Sequence, residues 1–169
     1  MKTANGKTNL LETKNDLEKS TRQKIIDICN ARLADAIDLQ YAVKTAHWNV
    51  KGPSFGSLHK LFDEVHEYVE DAIDMIAERV VQLGGTALGT TRIAAENSNL
   101  EEYPVNIYAG LDHVDAVSDR MAAFGKLMRE NIDETEDAGD KDTSDMFIDL
   151  SRENDKFLWM VEAHNMADR

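Results

Sequence analysis

Apolar side chains recur at helical spacing along most of this chain. Ile25, Ile28, Cys29, Leu33, Ala36, Ile37, Leu39, Val43 and Ala46 mark the inner stripe of a first helix over about 17–50. The run Lys51-Gly52-Pro53 is a breaker and should stop it. Leu58, Leu61, Phe62, Val65, Val69, Ala72, Ile76 and Val80 mark a second helix over about 57–84, with Ser57 as N-cap and Gly84-Gly85 closing its end. The period fades over 86–106, where one short helix fits near 92–97, and a segment of that length predicts a crossover, not a tight turn. Leu111, Val114, Val117, Met121, Phe124 and Met128 define a third helix over about 107–134. An acidic link over 133–142 leads to a fourth, about 143–165, carrying Phe147, Leu150, Phe157 and Val161. No strand-like alternation and no repeat interrupts this pattern. Residues 1–16 are polar and aperiodic and predict a flexible tail; residues 17–169 predict one all-α domain, a four-helix bundle with a long second connection.

Composition narrows the function classes. Hydrophobic residues at 42% and charged residues at 30% suit a globular domain. A net charge of −13 argues against general affinity for nucleic acid or anionic membranes and favours cations. The single cysteine, Cys29, cannot close an internal disulfide, and its place in the first helix's stripe makes it a buried small side chain. No apolar run approaches the roughly 20 residues that span a bilayer. The N-terminus lacks the apolar block of a signal peptide, so a cytoplasmic location is expected.

Against this background two histidines and three carboxylates stand out: His47, His59, Asp63, Asp74 and Glu78. His59/Asp63 and Asp74/Glu78 are i,i+4 pairs, each presenting two metal-capable groups on one helix face. The pairs are 11 to 15 residues apart, roughly 16–22 Å along a helix. One metal site cannot be that tall. At ~100° per residue the four side chains point away from the apolar stripe, so they do not line the bundle core. A charged face opposite an apolar one is ordinarily just solvated. Three details count against that reading. A short connection makes the first two helices antiparallel, which puts His47 and His59 at one height. Asp63 lies one turn further on and completes a mixed cluster suited to iron or zinc. A two-fold axis near residues 68–69 would pack two copies of the second helix antiparallel, setting His59/Asp63 of one chain against Glu78/Asp74 of the other. A di-iron centre inside the bundle would need Glu-x-x-His motifs pointing inward on two helices. The nearest match is Asp63-x-x-His66, which points outward.

The segments AHWNVKGPSF, LHKLFDEVHEYVEDAIDMIAERVVQLGG, ALGTTR and DKFLWMVEA, within about 20–165, closely resemble the Dps family of dodecameric mini-ferritins. The resemblance implies a ferritin-like four-helix bundle with a short extra helix between the second and third helices, assembled as a hollow homo-dodecamer. It implies a ferroxidase that uses Fe(II) and hydrogen peroxide, stores Fe(III) mineral, and protects the cell and its DNA from oxidative damage. Iron would be bound between two-fold-related subunits by His47, His59 and Asp63 of one chain and Asp74 and Glu78 of the other. Trp48 matches a tryptophan that the family places beside the centre; an ordinary packing role is equally open to it. The resemblance also points to Glu136, Asp137, Asp140, Asp142 and Asp145 as linings of an iron-admitting pore at the three-fold axes; an ordinary solvated acidic loop is equally open to each of them. In some members a lysine-rich tail grips DNA. Here Lys2, Lys7 and Lys14 are interspersed with Glu12, Asp16 and Glu18, and a solvated tail is the better reading. A nucleoid-compacting protein with secondary iron chemistry is the rival reading, and the acidic balance weighs against it. His66 should pack at the two-fold, and His113 and His164 should serve on the surface or as caps.

Overall fold

The computed structural model describes residues 9–166. Among them are five helices: α1 Lys19–Asn49, α2 Phe55–Gln82, α3 Thr91–Asn97, α4 Gly110–Asp137 and α5 Lys141–Glu162. α1 packs along α2 and α4 along α5, while α1–α4 and α2–α5 contacts close the bundle. The apolar stripes meet in one core that includes Ile25, Leu33, Leu39, Phe62, Val69, Ile76, Met121, Phe124 and Phe147.

Three links fix the topology. Arg22, near the start of α1, donates to the carbonyl of Leu83 at 2.9 Å, so α2 ends where α1 begins. The Lys51 N–H donates to the Tyr108 carbonyl at 3.0 Å, so the crossover returns to the α1–α2 corner before α4 starts. Arg79 reaches Asp140 at 2.8 Å, so the α4–α5 corner lies beside the end of α2. α2 and α4 therefore run parallel, and the crossover spans the bundle's length. α3 packs on α1 along the way, and Asn99 just beyond it donates its backbone N–H to the buried Asp35 at 2.6 Å.

Element ends depart from the sequence expectation for identifiable reasons. α2 starts at Phe55, not after Ser57; the Ser57 hydroxyl donates back to the Ser54 carbonyl and caps nothing. At its far end Gly84 (φ +85°) and Gly85 donate to Val81 and Val80, a full left-handed closure. α4 begins three residues later than expected because 107–109 are held extended against Lys51. It then runs on through most of the acidic link, stopping only at Gly139 (φ +88°). The link itself shrinks to Ala138, Gly139 and Asp140.

Of the expected tail, residues 1–8, with Lys2 and Lys7, lie outside the described residues. Residues 9–16 differ from a free run. The Leu11 N–H donates to the Gly84 carbonyl at 2.8 Å, and Leu10 and Leu17 pack against the core, so their apolar side chains tie the strand down. Lys14 is exposed on this segment.

Candidate metal centre

His47 lies in the last turn of α1, where helix carbonyls have no N–H of their own helix to bind. The chain turns through Gly52 (φ +106°) and enters α2, which brings His59 back alongside. The two residues then satisfy each other. His47 Nδ1 bonds the His59 carbonyl at 2.7 Å and His59 Nδ1 bonds the His47 carbonyl at 2.8 Å. A carbonyl can only accept, so each Nδ1 carries a proton, and whenever a ring is neutral its lone pair sits on Nε2. Bonds of this kind fix the tautomer and the ring plane of metal-binding histidines. The rings stack at 3.7 Å between centroids and 22° between planes. Phe55, one turn before His59, stacks on its ring at 5.0 Å.

Asp63 extends this cluster by one turn. Its Oδ1 is 3.8 Å from His47 Nδ1 and accepts a hydrogen bond from Lys44 Nζ. The Lys44 hydrogen bond, aided by the nearby charges of His47, Lys44 and His66 and opposed by partial burial, holds the Asp63 carboxyl below the usual carboxylate range. The group is anionic at neutral pH. His47, His59 and Asp63 thus lie side by side at the α1–α2 corner, residue types suited to iron or zinc that do not close a site within one chain.

Asp74 and Glu78 are exposed on α2. That helix is unbroken from Phe55 to Gln82, so Asp74 stands ~16 Å from Asp63 and Glu78 ~28 Å from His59 along its axis. Among the described residues, no three His, Cys, Asp or Glu side chains of one chain are arranged to hold a metal ion. The structure therefore brings His47, His59 and Asp63 together and leaves Asp74 and Glu78 apart. Both halves are symmetric about one point between Tyr68 and Val69, since His59 and Glu78 are equidistant from it, as are Asp63 and Asp74. Trp48, next to His47 in the last turn of α1, is 63% exposed and so largely uncovered by its own chain.

The acidic corner divides. Glu136, Asp137, Asp142 and Asp145 are exposed on the adjoining turns of α4 and α5. Asp140 does not belong with them. It is 2% exposed, accepts from the Thr143 N–H and hydroxyl as the N-cap of α5, and binds the Arg79 guanidinium through both oxygens. A carboxylate committed in this way is a structural anchor and cannot line a pore. His113, expected at the surface, is 1% exposed and bonded to the Tyr103 hydroxyl at 2.6 Å; burial pushes its pKa down. His164 bonds the Met160 carbonyl at 3.1 Å near the end of α5, in keeping with a cap role. Lys44 and Phe55 are the site residues that sequence reasoning missed. Lys44 is three residues before His47 and Phe55 four before His59, so helical spacing alone could have placed both on the site's face.

Comparison with known proteins places this geometry. The family description "Ferritin-like domain" matches residues 26–167. The chain is 44% identical over 153 residues to the DNA protection during starvation protein of Agrobacterium fabrum, covering 90% of this chain and 94% of that one. Among solved structures it is similar to DpsC from Streptomyces coelicolor, with a TM-score of 0.90 at 26% identity over 95% of this chain and 94% of that one. It is likewise similar to the Dps of Mycobacterium smegmatis, with a TM-score of 0.87 at 28% identity over 91% and 94% of the two chains.

Proposed function

This chain belongs to the Dps proteins of the ferritin-like family, and from that premise we propose that it is a ferroxidase and iron store whose reaction centre is completed between two subunits. The observation that carries the reading is the pair of imidazoles locked by each other's carbonyls beside Asp63. Asp74 and Glu78 lie on the same helix at the positions a two-fold would bring opposite. His47, His59 and Asp63 of one subunit and Asp74 and Glu78 of its partner would then hold the substrate, Fe(II).

The oxidation balances with hydrogen peroxide as acceptor. Two Fe(II) ions give one electron each, the O–O bond breaks, two protons are taken up, and two waters leave. Drawing both electrons together avoids the hydroxyl radical that a single-electron step would release. Oxygen donors favour the harder ferric product, which would be stored as mineral inside a hollow dodecamer. The exposed carboxylates Glu136, Asp137, Asp142 and Asp145 would concentrate Fe(II) at the α4–α5 corner through their combined field.

The name of the Agrobacterium relative refers to protecting DNA during starvation. Here protection is best read as removal of iron and peroxide. A net charge of −13 per chain, repeated over twelve subunits, would repel a phosphate backbone everywhere except at the N-terminal lysines. Among the described residues no helix is long and apolar enough to cross a membrane.

The direct test is Glu78→Ala in the assembled protein. It should slow peroxide-dependent Fe(II) oxidation at least about tenfold in stopped-flow absorbance and leave the helical circular dichroism unchanged. An unchanged rate would remove Glu78 from the centre.

A further inference from the structure

An exposed aromatic ring and an open apolar notch occupy complementary ends of α2. Phe55 starts the helix, is 47% exposed, and lies over the His59 ring. At the other end Ala77, Glu78, Val81, Gln82 and Ala87 line an open notch, with Val81 59% exposed. The two alanines leave space that larger side chains would fill. Phe55 and Gln82 are equidistant from the Tyr68–Val69 midpoint, as are His59 and Glu78. A two-fold that sets His59 against Glu78 of a second copy therefore sets Phe55 over that copy's notch, with no further adjustment of register.

Resting on the intersubunit reading above, we propose that Phe55 of each subunit seats in the Ala77/Val81/Ala87 notch of its partner and there acts as a positioning residue for the metal centre. The occupant is a second copy of this chain. Phe55, His59 and His47 form one continuous stack, with centroids 5.0 and 3.7 Å apart. Seating the outer ring in the partner adds a second restraint to imidazole planes already held by their Nδ1 bonds, and so narrows the spread of their Nε2 directions. The seated ring also covers the side of Glu78 that faces solvent in the single chain. Buried aromatic anchors in small pockets are the usual energetic centres of protein interfaces, and this one would join assembly to metal binding.

Two experiments on the full-length assembled protein test this. The first uses the cysteine pair Phe55→Cys/Val81→Cys, oxidised and run on a non-reducing gel beside each single variant. A cross-linked dimer is expected only from the pair, because two copies of position 55 lie at opposite ends of the paired helices. The second is an anaerobic Co(II) titration of wild type and Phe55→Leu, read by visible d–d absorption. The leucine keeps an apolar anchor but removes the ring stack. It should weaken Co(II) binding about tenfold and shift the band while the oligomer mass stays constant. A missing cross-link overturns the proposal, and so does unchanged Co(II) binding by Phe55→Leu. If wild type itself bound no Co(II), the intersubunit centre would fall along with it. Binding by wild type and equally by Phe55→Leu would leave the centre standing and remove Phe55 from it.

Discussion

Two backbone carbonyls decide the chemistry of His47 and His59. By accepting from both Nδ1 atoms they leave Nε2 as the free nitrogen of each ring, the orientation that the proposed centre requires. Lys44 is the counterpart on the carboxylate side: its ammonium occupies Asp63 Oδ1, where an incoming cation would bind. Lys44→Met vacates that oxygen and removes a positive charge, and both changes favour a cation. Solvent reaches 43% of the Asp63 side chain, so the gain should stay near or below about 1 kcal/mol, a few-fold tighter Co(II) binding by calorimetry. Weaker binding would mean that Lys44 orients Asp63 and does not compete for it. Cys29 shows the opposite situation, a group removed from chemistry. Burial pushes its thiol up to about 12, so the reactive thiolate stays scarce through pH 9, whereas an ordinary thiol titrates near about 8.5. Ellman's reagent at pH 8.5 should label the folded protein only as fast as it opens; immediate labelling would contradict the burial.

At the scale of elements, α2 does most of the positioning. It carries four of the five ligand-type residues and is held at its C-terminal end by three contacts. Arg22 donates to the Leu83 carbonyl, Arg79 pairs with the N-cap of α5, and the Leu11 N–H binds Gly84. Gly84 has φ +85°, and a Cβ there would sit 2.5 Å from the Leu11 carbonyl oxygen. Gly84→Ala should therefore destabilise the subunit by at least about 1 kcal/mol from the left-handed backbone alone and displace the N-terminal strap. Limited proteolysis would report this as faster cleavage near Leu11, and an unchanged cleavage rate would argue against the strap. Helix number, order and apolar stripes were legible because a 3.6-residue period survives in sequence. The ends were less so. An acidic run such as 133–142 has no apolar period, yet the helix ladder persists through it until Gly139 supplies a positive φ. The strap, the Lys51–Tyr108 contact and the Arg79–Asp140 pair join positions far apart in sequence, and no local pattern announces them. Asp140 could look like its acidic neighbours only while Arg79 was out of sight.

For the whole molecule, the central claim is that one chain holds half a reaction centre twice over. That claim rests first on spacing, because 11 to 15 residues of helix cannot be folded back onto one metal. Spacing could put Lys44 and Phe55 on the faces of His47 and His59, but not show that Lys44 crosses to Asp63 or that the Phe55, His59 and His47 rings form one stack, because those contacts need α1 and α2 side by side. The claim is tested most directly by mixing two disabled chains. One carries His59→Ala/Asp63→Ala and the other Asp74→Ala/Glu78→Ala, and each alone should be nearly inactive in peroxide-dependent Fe(II) oxidation. Unfolded and reassembled together in equal amounts, they form mixed two-fold pairs in which one of the two sites has all its ligands. Random pairing would restore roughly a quarter of the wild-type rate. Recovery near that level is the predicted result; a mixture no more active than its parents would contradict an intersubunit centre.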